Sequence, residues 1–249
     1  IATVMGQIVA SILAVWLNLT KNEDIHLSFL GFRPDKAVIG RIYAVGVPSI
    51  IMMSIGSIMT YAINQILLRF SSTATAVFGV YFKLQSFIFM PVFGLNNGLI
   101  PILAYNYGAR NRERIEKALR LAIGYAVSIM LIGTILFQIF PTQLLGLFNA
   151  SADMVSIGVV ALRVISTSFV LAGFCIALGS VFQAFGQGLF SMFVSIGRQL
   201  VVLIPVAYLL SLSGEVNYVW WAFPIAETAS VVLSVLFFIR TYRKCVKPL

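Results

Sequence analysis

The chain has 249 residues, 60 % hydrophobic and only 10 % charged, with a net charge of +9 and a mean hydropathy of +0.99. An ordinary soluble domain is about 45–50 % apolar and about 25 % charged, so this composition excludes a soluble enzyme, a disordered chain and a disulfide scaffold. Six membrane spans of about 20 residues each would use roughly 120 residues, which fits an all-α, polytopic transmembrane helix bundle with short loops.

Residues 1–19 form an apolar stretch with neither an initiator Met nor a basic flank, unlike a signal peptide. They read as the end of a preceding transmembrane helix in a longer protein, a partial seventh span beside six complete ones. Residues 20–42 are the longest polar stretch and read as a linker ending in a short amphipathic entry helix; His26, the single histidine, lies there as a solvated loop residue. Six complete spans follow at 43–68, 74–104, 118–140, 154–181, 189–212 and 219–239, each long enough to cross with some tilt. Residues 43–240 therefore form a six-helix lobe, and 241–249 a basic tail. Cys175 and Cys245 lie too far apart in depth to bridge.

Thirteen of the seventeen Lys and Arg residues fall on one side of this arrangement. They are Lys21, Arg33, Lys36 and Arg41 before the first full span, Arg110, Arg112, Arg114, Lys117 and Arg120 after the second, and Arg240, Arg243, Lys244 and Lys247 in the tail. The alternate loops hold only Arg69, and Lys83, Arg163 and Arg198 lie inside spans. The positive-inside rule makes the thirteen cytoplasmic, which places the C-terminus in the cytoplasm of a multi-pass cell-membrane protein. That bias also accounts for the net charge without a nucleic-acid partner. At the second positive loop Gly108 suits a left-handed helix cap and Asn111 the next N-cap. Glu113–Lys117 and Glu116–Arg120 have i,i+4 spacing for ion pairs.

No GxxxxGKS/T, HExxH, paired CxxC or GxSxG is present, so enzyme chemistry, a cofactor and a metal have no visible carrier. The spans are instead rich in residues that bend helices: Pro48, Pro91, Pro101, Pro205 and Pro224 all lie in apolar runs. FMPVFGLNNGLIP, at 89–101, is the most irregular, and broken helices near the midplane recur in secondary transporters. Pro91 and Pro101 are the expected hinges. Helical spacing puts Lys83, Phe87, Met90, Gly94, Asn97 and Pro101 on one face, a mixture suited to varied organic ligands. Ser57, Tyr61, Asn64 and Gln65 make a polar stripe in the preceding span, with interhelical hydrogen bonding an equal reading for Asn64 and Gln65. Lys83, Arg163 and Glu227 enter from the same side and reach roughly 13–15 Å into the bilayer at the helical rise. A charge at that depth costs about 2.5–3.5 kcal/mol unless paired or wet. Glu227 is the one acid within the spans, so it is expected to pair with Lys83 or Arg163.

PILAYNYGARNRERIEKALR, at 101–120, resembles a cytoplasmic helix-end motif of the multidrug and toxic compound extrusion (MATE) family, and VFQAFGQG, at 181–188, resembles its second cytoplasmic signature. The resemblance covers 40–241, including the early proline of the first full span, and is closest to a bacterial, MepA-like branch. It implies one lobe of a two-lobe, twelve-span transporter, with the N-terminal six-helix lobe missing here. It further implies export of organic cations and amphiphilic drugs in antiport with H+ or Na+. One departure bears on coupling: the acids that one branch carries in its seventh and tenth spans are absent from 43–68 and from 154–181. A flippase for lipid-linked oligosaccharide or peptidoglycan precursors, from the same superfamily, is the alternative. Such flippases line their cavity with several cations, for which only Lys83 and Arg163 are candidates. An ATP-driven transporter subunit would need longer cytoplasmic helices, and a non-transporting scaffold would not need charges inside its spans.

Overall fold

The structure is a computed structural model that describes residues 2–21 and 34–248. His26, Arg33 and most of the 20–42 linker lie outside the described residues. The chain divides into two compact units, residues 1–44 and residues 45–249. The first contains α1 (Ala2–Lys21), apolar and long enough to span a membrane.

α2 (Lys36–Leu68) is a single 33-residue helix, so the expected entry helix is not a separate element but the start of the first full span. α3 (Ser72–Gly108) begins at Ser71, whose hydroxyl accepts from the Ala74 N–H, and runs unbroken through Pro91 and Pro101. The expected discontinuity at 89–101 is therefore absent. α4 (Arg112–Ile139) starts at the Asn111 cap as expected, with the Asn111 side chain accepting from the Arg114 N–H at 3.1 Å. A short α5 (Pro141–Gly146) leads to α6 (Ala152–Ser166) and α7 (Phe169–Ala184). Next come α8 (Gly188–Ile196), a π-helical segment (Gly197–Leu203) and α9 (Ile204–Ser211). The last elements are α10 (Val216–Val219), α11 (Ala222–Thr241) and a π-helical turn (Tyr242–Val246). No strand occurs among the described residues. Among the described residues six helices are long and apolar enough to cross a membrane, or seven when the bent pair α6–α7 counts as one.

That bend corrects the single span expected at 154–181: α6 and α7 meet at 46° around Thr167 and Ser168. No proline is involved. The hydroxyls of Ser166, Thr167 and Ser168 each donate to the carbonyl three residues earlier, and the Thr167 and Ser168 N–H groups bond three residues back as well. Consecutive back-bonding hydroxyls tighten the turn and bend the axis. The other interruption precedes Pro205, whose ring and missing N–H favour the wider π register behind it. Pro224 sits in the first turn of α11, where the missing donor costs little.

The two motif-bearing turns close in the same way. At 106–111 the Asn111 N–H bonds to the Asn106 carbonyl and the Arg110 N–H to that of Tyr107; at 182–187 Gln187 bonds to Phe182 and Gly186 to Gln183. Both are Schellman closures, which need a left-handed residue just past the cap. Gly186 supplies it with φ 70°, but at the first turn it is Arg110, with φ 54°, and not Gly108. Gly108 is the last helical residue.

Packing in the second unit centres on α7, which lies against α3, α4 and α11. Phe78, Phe137, Phe169, Phe182 and Trp220 are fully buried there. Small residues set the closest approaches, as expected where van der Waals contact drives association. A Cβ on Gly173 would lie 2.7 Å from Met130 Cγ and 3.1 Å from the Ala126 carbonyl oxygen, so α4 and α7 touch at their backbones. A second cluster at the basic end joins Leu103, Ile115, Leu119, Val181 and Val246. The tail is thus not loose: Cys245 and Val246 are buried.

Candidate functional site

The second unit contains a cavity of about 750 Å³ bounded by α2, α3, the α6–α7 bend, the π-helical segment and α11. α2 contributes Met53, Ser57, Tyr61 and Asn64, at 3–4 spacing on one face. α3 contributes Tyr81, Phe82, Gln85, Phe89, Met90 and Phe93. Phe169, Phe223, Arg198, Gln199 and Glu227 complete the wall. Several hydroxyls on this surface are already engaged with their own helices: Thr60 donates to Gly56, Ser86 to Phe82 and Ser168 to Ile165. What remains is an aromatic and thioether wall with a few amides and one ion pair.

That ion pair joins Arg198 to Glu227 at 3.2 Å. Glu227 is buried, its side chain 8 % exposed, whereas the Arg198 side chain is 32 % exposed. Arg198 is the second residue of the π-helical segment. Gly197 beside it leaves room for only 2.9 Å between a would-be Cβ and Leu233 Cδ1, so α11 approaches closely at this turn. The structure therefore corrects the expected pairing of Glu227 with Lys83 or Arg163. Lys83 reaches away to Phe148, its ammonium 5.8 Å from the ring centroid. The Arg163 Nε donates to the Gln138 carbonyl at 3.3 Å, near the C-terminal end of α4. Both long cations turn toward the end of the bundle opposite the basic clusters, where a charge is cheaper than at the midplane.

Of the residues expected at the site, Tyr61, Asn64, Met90 and Glu227 line the cavity. Lys83, Arg163, Gln65, Phe87 and Asn97 do not; Phe87 is 76 % exposed on the surface of the bundle. On α3 the lining face lies about 100° round the helix from the face singled out by sequence, which is the angular step of one residue. Sequence reasoning missed Arg198, Tyr81, Phe82 and Gln85. A depth count could have raised Arg198, because it lies ten residues into its helical run from Gly188, or roughly 15 Å at the helical rise.

A smaller polar cluster ties the basic end together. The Arg112 Nε donates to Glu116 at 2.7 Å and its Nη2 to the Tyr242 hydroxyl at 3.0 Å, while that hydroxyl donates to Glu116. Glu116 thus pairs one turn back with Arg112, not forward with Arg120, and Glu113–Lys117 is not among the ion pairs of the described residues. Thr241 donates to the Gln187 Oε1 at 2.6 Å, joining α11 to the second motif turn. Among the described residues no group of His, Cys, Asp and Glu could hold a metal ion.

The family model for MatE matches residues 48–209, which covers four of the five elements around the cavity. The chain belongs to the MatE family. Within that family it is 28 % identical over 236 residues to the multidrug export protein MepA of Staphylococcus saprophyticus, covering 95 % of this chain and 52 % of that protein. It therefore spans about half the length of the curated relatives it matches. MepA proteins of Staphylococcus aureus match at 24 % identity over the same share of this chain. An outward-facing structure described as a multidrug resistance MATE family transporter of the MOP superfamily superposes with a TM-score of 0.86 at 24 % identity, covering 97 % of this chain and 55 % of that one. An inward-facing structure with the same description gives 0.82, also at 24 % identity, covering 97 % and 57 %. The MatE chain described here is accordingly an all-α, multi-pass membrane bundle with the fold of those transporters.

Proposed function

We propose that this MatE chain is the C-terminal lobe of a secondary active multidrug exporter of the cell membrane, with its C-terminus in the cytoplasm. The observation that carries this reading is the cavity. Its volume of about 750 Å³ lies within the roughly 300–1,000 Å³ of drug-sized sites, and its wall is aromatic and thioether with few polar groups. Flexible methionines such as Met53, Met59 and Met90 adapt to differently shaped apolar bodies. The relatives' name, multidrug export protein, supports the same class of cargo: amphiphilic drugs and organic cations. The protein uses no catalytic residue and no cofactor, and couples export to entry of H+ or Na+ by alternating access. Its partners are the drug, the bilayer and an N-terminal six-helix lobe of the same chain, and no nucleic acid is involved. Pro91 and Pro101 act as the flexible points of α3. The flippase alternative fits less well, because one cation lines this cavity and Glu227 neutralises it.

The test is transport by the full-length protein in proteoliposomes. An imposed inward H+ or Na+ gradient should drive ethidium out of the compartment that corresponds to the cytoplasm. Ethidium movement that ignores both gradients, or that needs ATP, overturns the proposal.

A further inference from the structure

Away from the cavity, one face of α11 is open along its whole length. Trp221, Ile225, Val232, Leu236 and Ile239 follow one another at 3–4 spacing and are all exposed, while Ser230 and Ser234 on the opposite side are buried. From Trp221 to Arg240 the helical rise amounts to roughly 28 Å, close to the about 30 Å of a bilayer's hydrocarbon core. An indole at one end of such a stripe and a guanidinium at the other are the side chains that membrane interfaces favour. The stripe has the length and the ends of a surface that meets acyl chains, and this places Arg240 at headgroup level.

Beyond that level the same face is cationic. Arg240, Arg243, Lys244 and Lys247 are all exposed, and no acid lies between Glu227 and Leu249. Among the described residues none of the four takes part in an ion pair. Glu116, which this turn does touch, is already shared by Arg112 and the Tyr242 hydroxyl. The four charges are also held in place. Thr241 donates to Gln187, and Cys245 and Val246 are buried, so the π-helical turn is anchored from within. The Arg240 guanidinium carbon lies 5.8 Å from the centroid of the Phe190 ring, which in turn stacks on Phe237 at 4.6 Å. A guanidinium seated over a ring keeps the N–H groups in its own plane for another acceptor.

Three partners can be compared on this face. An acidic soluble protein would match the cations but not the apolar stripe that runs on from them. A zwitterionic phospholipid matches the stripe, yet carries its own cation beside the phosphate. An anionic phospholipid matches both parts, because its phosphate can accept parallel N–H bonds from an arginine and no second positive charge opposes the cluster. We propose that the outer face of α11 and the π-helical turn after it form a docking site for anionic phospholipid. The headgroup phosphate meets Arg240 and Arg243, and the acyl chains lie along Val232, Leu236 and Ile239. This site is separate from the cavity, and it stands or falls apart from the export reading because its test needs no gradient.

The experiment is equilibrium titration of the purified full-length protein, in detergent, with two fluorescently labelled phospholipids that share their acyl chains. One carries phosphatidylglycerol, an anionic headgroup, and the other phosphatidylcholine, a zwitterionic one. Phosphatidylglycerol should bind about fivefold tighter or more. In R240Q/R243Q that ratio should fall to about one. R110Q/R114Q removes the same charge from the same end, two turns or more outside Leu121, the first exposed large apolar residue of α4, and should change the ratio less than twofold. If R240Q/R243Q does not fold, R243Q/K244Q leaves the Phe190 contact intact and should lower the ratio in its place. Equal binding of the two lipids by the wild-type protein overturns the proposal, and so does a preference that survives in the α11 variants. An equal fall in R110Q/R114Q also overturns it, since the preference would then follow the net charge of this end. Loss of a monodisperse protein in the α11 variants, with no lipid preference in the wild type, would make the face a contact with protein instead.

Discussion

Breaking the Arg198–Glu227 pair from its two ends should have unequal consequences. Removing one partner of a buried ion pair commonly costs about 3–5 kcal/mol, chiefly because the other charge is left uncompensated. R198A strands a carboxylate whose side chain is only 8 % exposed, so it should fall at the upper end of that range. E227Q strands the guanidinium of a side chain that is 32 % exposed and lines a cavity of about 750 Å³, large enough to hold hydrating water at roughly 30 Å³ each. Screening by that water should bring its cost down to about 1–2 kcal/mol. R198Q/E227Q leaves two neutral amides able to bond to each other, and should cost less than R198A. The assay is retention of a monodisperse peak after heating in detergent, read as an apparent midpoint. At roughly 2–4 °C per kcal/mol for a chain of this size, R198A should lose on the order of 10 °C and E227Q only a few degrees. An E227Q loss as large as that of R198A would refute the exposure argument. A double variant whose loss is the sum of the two singles would show that the pair does not exist as described.

Two further outcomes use the same preparations. G173V should lose about 1–3 kcal/mol by overpacking, because the Ala126 carbonyl 3.1 Å from the new Cβ belongs to backbone and cannot yield; G179A, with nothing within 4 Å of its Cβ, should lose nothing, and equal midpoints for the two variants would remove the close α4–α7 contact. P91A should leave folded yield intact and slow proteoliposome turnover if α3 flexes at that point; unchanged turnover and affinity would leave the proline merely tolerated within an unbroken helix.

Much of the architecture was legible because a bilayer imposes a one-dimensional rule. A chain that must satisfy its backbone inside hydrocarbon shows its spans as apolar runs and its sidedness as a Lys/Arg bias. The runs at 74–104, 118–140 and 189–212 correspond to α3, α4 and the α8–α9 rod, and Asn111 caps where its side-chain chemistry suggested. Bends were less legible. Proline was the obvious signal, yet α3 stays one continuous helix through two of them, while three hydroxyl residues at 166–168 mark a break at which the chain bends by 46°. Hydroxyl back-bonding depends on which carbonyls are open locally, and the Arg163 carbonyl that Ser166 uses also accepts from Gln138 of α4.

What the sequence determined by itself is therefore the all-α membrane-spanning class, the position of each charge along its apolar run and the family, since hydropathy, rise per residue and motif register are all properties along the chain. The choice of partner was left to the tertiary structure. Lys83, Arg163 and Arg198 are all plausible by depth, and only the rotation of each helix about its axis decides which one meets Glu227. That rotation is set by where neighbours can approach: Gly197 against Leu233 brings Arg198 to α11, and the α3 face that lines the cavity lies about one residue's step from the face inferred from composition. In a span apolar on nearly every side, no amphipathic stripe records that angle, so only packing could settle it.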